Sequence, residues 1–375
     1  MIKEQYNQLP RPTFRWMKVN HLELPKVEAQ TAPQPFQPLE RHEGPVAVCF
    51  YNGDGAFPLK AFTGANEASL AEVREKQNTG CRIDAPAGSK SSVWLTYELS
   101  EQVPQIIGQL GIKAEAGSQL DVYINFEGGA AAGSVNFLTY VEAAANAHVK
   151  ISKIQLHDEM VRHIEHRYAH AAQNGTVEYV NAEMGSKETV LYYQTDLMEE
   201  KGKFKSQAMY LGNDHQVFDF SYWVPQQGVK TETDIVTTGS LMDQSRKYFR
   251  GTIDFLRGGK QAVGSEADTC LLLSPGAHSI SIPLLLCKED DVVGNHASSA
   301  GQIDKDKLFY LMSRGFSEAG AQLIIVESNI RPVIDNLGDT EQENKVLQAV
   351  REKMQSCHKK GDCHDKCTKR FPHID

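Results

Sequence analysis

The 375 residues contain no G-x-x-x-x-G-K-[ST] motif, and so lack the phosphate-cradling loop of a P-loop nucleotide hydrolase. The one glycine-rich run, Gly128-Gly129-Ala130-Ala131-Ala132-Gly133, has neither the lysine nor the spacing and reads as a turn between strands. The chain is therefore expected not to bind ATP by itself. A basic face is missing too. Lys and Arg number 39 against 48 Asp and Glu, a net charge of −9, which argues against a general nucleic-acid binder. Long apolar runs are absent. The most hydrophobic stretch, Leu271 to Leu286, is interrupted by Pro275, His278 and Pro283 and falls short of the ~20 residues that span a bilayer. Residues 1–8 hold no apolar core of signal-peptide length, so the expectation is a cytoplasmic protein without membrane contact. No Ser/His/Asp or Cys/His nucleophile set can be nominated, and the carboxylates are too dispersed to single out an acid–base pair.

Cysteine is scarce and unpatterned. Seven residues, an odd number, in a chain without an export signal point to free thiols or metal ligands, not to a disulfide framework. Cys49, Cys81, Cys270 and Cys287 stand alone and read as buried small hydrophobes. The other three gather in a polar tail, residues 357–375. There Cys357, His358, Cys363, His364 and Cys367 offer three thiols and two imidazoles, ligands that suit zinc or an iron–sulfur cluster. Neighbouring lysines favour the thiolate. The C-x5-C-x3-C spacing is not a standard metal-binding pair, so an incidental, solvated tail is the competing reading. A second histidine group lies at His157 to His170. His163, His166 and His170 would share a face on a helix and could take a metal, as in a metal-dependent enzyme; on a strand, His163 and His166 point to opposite sides.

What is present is a long strand-rich middle. A hydrophobic fraction of 41% with 23% charge is ordinary for a globular chain, and this length allows an ample core. From about Ser92 to Leu286, apolar and polar residues alternate: Gln119–Phe126, His148–Leu156, Thr176–Ala182 and Gln216–Trp223 are the clearest runs. Period two is the strand signal. Gly, Asn and Lys/Glu pairs punctuate the runs, as at Asn174-Gly175 and Gln227-Gly228. An antiparallel sandwich or barrel and a stacked β-helix both suit this pattern, and alternation alone does not choose.

Residues 1–84 read as a mixed helical and linker segment that caps the strand-rich middle. Leu9 to Asn20 is a Pro-broken hook expected to dock by Phe14 and Trp16. Residues 29–46 read as a surface linker, and Glu67 to Gln77 as a short helix. The alternating runs give way at His296, within the small polar stretch Gly294 to Ser299, a junction where an accessible imidazole can meet a metal or substrate. Beyond it the spacing is helical. Asp304 caps Lys305–Arg314 and Gly315 closes it; Ser317 caps Glu318 to about Asn336; a charged third helix runs from Thr340 to about Gln355.

This junction carries a resemblance. His296-Ala297-Ser298-Ser299-Ala300-Gly301-Gln302-Ile303-Asp304, then Leu308-Phe309-Tyr310-Leu311-Met312-Ser313-Arg314-Gly315, resembles the C-terminal signature of the SufB/SufD family of SUF iron–sulfur cluster assembly scaffolds. That pattern runs H-G-A-T-x-G-x-[IL]-D and then [LI]-F-Y-L-x-S-R-G. Ala297 and Ser298 depart from its Gly-Ala pair. The resemblance is specific over residues 240–337 and looser through the strands. It implies a mainly β protein: a right-handed parallel β-helix core at 85–296, and a C-terminal helical domain at 297–356. It further implies a SufC-type ABC ATPase docking near Leu308, Phe309, Tyr310 and Arg314, and a SufB-type partner scaffold, or a second copy of this chain. His296 would act in cluster assembly, with iron or a transient iron–sulfur cluster at a shared site. His at this position is the SufD-type residue, where SufB carries Glu. If Pro283 matches the family's proline, the SufB cysteine position falls on Ala277, which cannot ligate iron.

Overall fold

In the computed structural model, which describes residues 3–13, 15–26, 33–51, 62–131 and 133–359, consecutive strands alternate between two sheets. Each strand pairs in parallel with the strand one full turn later, so Gln119 lies beside His148 and His148 beside Thr176. The result is a β-solenoid of about eight turns, the stacked alternative. All four runs singled out by alternation are strands: Gln119–Gly128, His148–Gln155, Thr176–Glu183 and Val217–Gln226.

The alternation explains the coil. Val93, Leu95, Tyr97 and Leu99 project inward from one strand, and Leu120, Val122, Ile124 and Phe126 from the next, all buried in one continuous core. Because the register is kept, side chains stack as ladders: Tyr97 lies on Phe126 with ring centroids 5.1 Å apart. Backbone corners repeat as well. Gly88, Gly117, Asn146, Asn174, Lys201, Lys230 and Gln261 all have φ between 54° and 70°. In turn, the N–H groups of Gly88, Gly117, Asn146, Asn174, Lys201 and Lys230 donate to a carbonyl one coil on. Glycine and asparagine take this left-handed conformation readily; Lys201, Lys230 and Gln261 are held in it by the stack.

Both outer faces are covered. On the ten-stranded sheet lie Lys3–Tyr6, Leu22–Pro25, Phe62 and helix α1 (Glu67–Lys76), which pack Tyr6, Leu22, Leu24, Phe62, Leu70 and Val73 against Leu138, Ile164 and Val190. On the nine-stranded sheet lie two of the three C-terminal helices, which are α2 (Lys305–Ser313), α3 (Glu318–Ile334) and α4 (Thr340–Lys359). Val326, Ile330, Val333 and Val350 meet Val180, Met209 and Leu211. Ser152 Oγ donates to the Leu337 carbonyl at 2.7 Å, and Trp94 Nε1 to Asp339 at 2.9 Å. The caps expected at Asp304 and Ser317 are present, and Gly315 closes α2 with φ 97°. Among the described residues no helix is long and apolar enough to cross a membrane.

Three expectations change. Residues 39–43, read as linker, form a strand that pairs antiparallel with Lys90–Leu99 and closes one edge of its sheet; Ala47–Tyr51 does the same for the other sheet. The hook is anchored not by Trp16, which is 95% exposed, but by Leu9 and Val19 packed on Ile282; Phe14 lies outside the described residues. Finally, the switch to helix does not fall at His296. The residue lies within a last strand, Val292–Gln302, and helix begins only after the Asp304 cap. The small, weakly β-forming residues of this strand follow the ladder already laid down by Ala262–Leu272.

Candidate functional site at the open end of the solenoid

Among the described residues the strand Val292–Gln302 has one neighbour, Ala262–Leu272, and apart from the half-buried Val292 every residue in it is exposed. Such an edge offers a row of free N–H and C=O groups, which proteins usually blunt with lysine, proline or other charges. None stands between Val292 and Gln302; His296 is the sole titratable side chain. The exposed imidazole expected from the sequence is therefore present, on a strand edge instead of at the switch from strand to helix.

Register fixes which way His296 faces. It lies directly beside Glu266, as Gly294 lies beside Gly264. A side chain at Gly294 would meet Leu285 and Phe255, and one at Gly264 would meet Ile253 and Phe255, residues of the solenoid interior. Positions 264 and 266, like 294 and 296, share that inward face because strands alternate with period two. His296 thus stands at the mouth of the interior, with Glu266 on the coil beneath it.

That coil is polar. Glu266 is 2% exposed, and neither carboxylate oxygen has a hydrogen-bond partner in the structure. Its carboxyl is pushed up to about 8, first by burial and then by Asp268. Gly251 makes room for it, since a Cβ there would collide with Glu266 Oε2. Asp268, by contrast, is compensated: it pairs with the buried Lys247 ammonium and accepts from Thr237 Oγ1 at 2.5 Å. Lys247 itself is lowered by burial and lies over the rings of Tyr210 and Phe249. Sequence reading missed Glu266 and Asp268; the alternation Gly264-Ser265-Glu266-Ala267-Asp268 places two acids on an inward face, which was the available signal.

On α2, Phe309 is 73% and Tyr310 56% exposed, Leu308 is half-buried, and Arg314 lies 5.1 Å from the Tyr310 ring centroid. No residue of α2 is buried. Of the four residues expected to dock a partner, Phe309 and Tyr310 thus face solvent, Arg314 lies beside Tyr310, and Leu308 is partly covered.

The histidine group does not assemble. The strand Arg162–Ala171 sends His163 inward, edge-on to Phe126 at 4.9 Å. His166 faces outward, where Nδ1 accepts from the Ala65 N–H at 2.9 Å and Nε2 faces Asn136 Oδ1 at 3.0 Å. Burial lowers His163 to about 4 and His166 to about 3. His170 sits near Glu199. Among the described residues no three His, Cys, Asp or Glu side chains converge to hold a metal, which removes the metal-enzyme reading of His163, His166 and His170. In the same region the sequence hid a charge network: Lys153 bridges Glu165 (2.5 Å) and Glu183 (2.6 Å), and Arg167 holds Glu165 from its other oxygen (2.5 Å), all fully buried.

Of the cysteines, Cys81 and Cys270 are buried as expected, whereas Cys49 and Cys287 are exposed, the first on a closing strand at one end and the second at the open end. Helix α4 carries Cys357 and His358 in its last turn; their side chains, with Cys363, His364 and Cys367, lie outside the described residues.

Comparison with known proteins places this geometry. Residues 97–329 match the family model described as SUF system FeS cluster assembly, SufBD core domain. The chain is 26% identical over 203 residues to the iron–sulfur cluster assembly protein SufD of Bacillus subtilis, a match covering 54% of this chain and 46% of that protein. To a SufBD family protein of Staphylococcus saprophyticus it is 30% identical over 193 residues, 51% of this chain and 41% of the other. A Mycobacterium bovis SufBD family protein is 25% identical over 192 residues, 23% of its length. The matches therefore span less than half of each of these relatives.

Proposed function

Since the chain belongs to the SufBD core family of the SUF iron–sulfur cluster assembly system, we propose that it is a SufD-type scaffold subunit whose open solenoid end joins a SufB-type partner. One observation carries this reading: the uncharged edge strand Val292–Gln302, with His296 on it and, among the described residues, no second strand to pair. Main-chain groups on such an edge are satisfied by adding a strand, and a partner's end-strand supplies one. His296 then lies at the junction. Because no set of three ligands converges within the described residues, iron or a nascent cluster held here as cargo would take its other ligands from the partner.

The exposed α2 patch, Leu308, Phe309, Tyr310 and Arg314, is the surface for a SufC-type ATPase, to which ATP hydrolysis is assigned. Its effect on the site comes from linkage: an ATPase that binds two arrangements of the helices unequally shifts the interface between them. The chain's compartment is proposed to be the cytoplasm.

Anaerobic co-purification of the tagged chain from its own cell, with mass spectrometry of its partners, tests the assembly. A distinct SufB-like chain with an ABC-type ATPase is the expected result, and His296→Ala should leave that complex intact while lowering its cluster content. The ATPase with two copies of this chain would instead favour a homodimeric scaffold, and move attention to Cys357, Cys363 and Cys367. Normal cluster content in His296→Ala would remove this residue from the chemistry.

A further inference from the structure

We propose that Glu266 is the positioning residue of His296: it accepts the ring N–H that faces the solenoid interior and so presents the opposite nitrogen, at the open end, to incoming ferrous iron. The inference rests on the reading of His296 as an iron ligand.

Four observations support it. Glu266 and His296 are direct register partners on neighbouring parallel strands and face the same way. Glu266 has two buried oxygens without a hydrogen-bond donor, which is a costly state for a carboxyl group and rare without a reason. The other acid on this strand face, Asp268, is already engaged by Lys247 and Thr237, so of the two it is Glu266 that lacks a donor. Space for the carboxyl group is provided by Gly251, whose missing Cβ would overlap it. A histidine that binds a metal through one nitrogen almost always donates its other N–H to a carboxylate, carbonyl or water, which fixes tautomer and ring orientation. Here the acceptor is in place on the coil beneath His296, which stands at an exposed edge.

This role differs from a structural one in a measurable way. A carboxyl group that lacks partners contributes nothing to folding through hydrogen bonds, so Glu266→Leu, which fills similar space and cannot accept, should keep or raise the melting temperature of the full chain. In the complex that the chain forms with its partners, ferrous iron added anaerobically should bind about tenfold more weakly to Glu266→Leu than to wild type, an effect typical of losing such a partner. Histidine-selective 15N NMR of the chain should show His296 moving from one dominant tautomer to a mixture. Glu266→Asp, which keeps the carboxyl group on a shorter arm, should fall between the two. Wild-type iron affinity in Glu266→Leu, beside a clear loss in His296→Ala, would overturn the inference and leave the reading of His296 standing. Wild-type affinity in both variants would overturn the two together. A melting temperature lowered by several degrees in Glu266→Leu and Glu266→Asp alike, with iron affinity unchanged, would assign Glu266 to folding alone.

Discussion

Lys153→Met is the sharpest test of the solenoid interior. Methionine approximates the length of the lysine stem and removes the charge. In the native chain the ammonium lies between Glu165 and Glu183, all three fully buried. The two acids are not equivalent. Arg167 also holds Glu165, and although burial pushes that carboxyl up, Arg167 and Lys153 pull it further down, so it stays well below the usual range. Glu183 is raised by burial even with Lys153 beside it, and among the described residues Lys153 is its one ion-pair partner. Losing the ammonium therefore strands Glu183. Removing one member of a buried pair costs about 3–5 kcal/mol, because the remaining charge is uncompensated. At roughly 2–4 °C per kcal/mol for large domains, the melting temperature should fall by roughly 6–20 °C.

Glu183 can escape by taking a proton, and that gives the pH signature. An acid whose folded pKa lies above its unfolded value binds protons more tightly in the folded state, so stability is gained as pH falls through the folded pKa. The deficit of Lys153→Met relative to wild type should shrink between pH 8 and pH 5.5. Adding Glu183→Gln should recover most of the loss, with a coupling between the two sites that a double-mutant cycle reads directly. Calorimetric melting of the four proteins at both pH values is the assay. A deficit below about 1 kcal/mol, or one indifferent to pH, would mean that water enters the coil and screens these charges, and the reasoning from a dry interior would fail.

The helices offer two further tests. Phe309→Ala with Tyr310→Ala removes exposed rings that support no core, so the melting temperature should move by no more than a surface substitution does, about 0.5 kcal/mol, while co-purification of the ATPase is lost; retention of the ATPase would free α2 of that role. Ile330→Ala opens a cavity where α3 meets the nine-stranded sheet, at about 2–5 kcal/mol. Hydrogen exchange should accelerate across α3 and α4 and leave the inner strands protected, and acceleration throughout the solenoid would show that helices and coil fold as one unit.

The strands were legible because each exposes its period-two pattern locally, and the caps at Asp304 and Ser317 because capping chemistry is short-range. The repeat itself was hidden. One corner position recurs in every coil, but Gly88, Gly117, Asn146, Asn174, Lys201, Lys230 and Gln261 occupy it in turn, so a conformation repeats without a repeating residue. The last strand was misread for a related reason: Gly294 to Ser299 has little β-propensity, and pairing with Ala262–Leu272 supplies what composition does not. His296 was found through a motif, whereas Glu266 lies 30 residues earlier and meets it only through the stacking register. The Lys153 network was invisible for the opposite cause, since charged residues in strands are read as solvent-facing until the coil closes around them.

The location of the site stems from how this solenoid manages its surfaces. Strand ladders have two ends, and each end is an invitation to further pairing. One end is closed by Leu39–Glu43 and Ala47–Tyr51, which reverse direction and pair antiparallel. The outer faces are closed by the terminal segments, with α1 on one sheet and α3 and α4 on the other. At the remaining end, Leu9 and Val19 pack on Ile282 beside the last strands of the ten-stranded sheet, and among the described residues nothing pairs with the neighbouring strand Val292–Gln302 on its outer side. A chain that seals three boundaries and leaves the fourth uncharged has not merely failed to protect an edge. The same strand carries the single imidazole of that edge, over an acid of the coil beneath that has no hydrogen-bond partner. On the proposal made above, pairing that edge with a partner would bury His296 and bring to it ligands that the described residues do not gather, and separating the two would expose it again, so strand addition and access to iron would become one event.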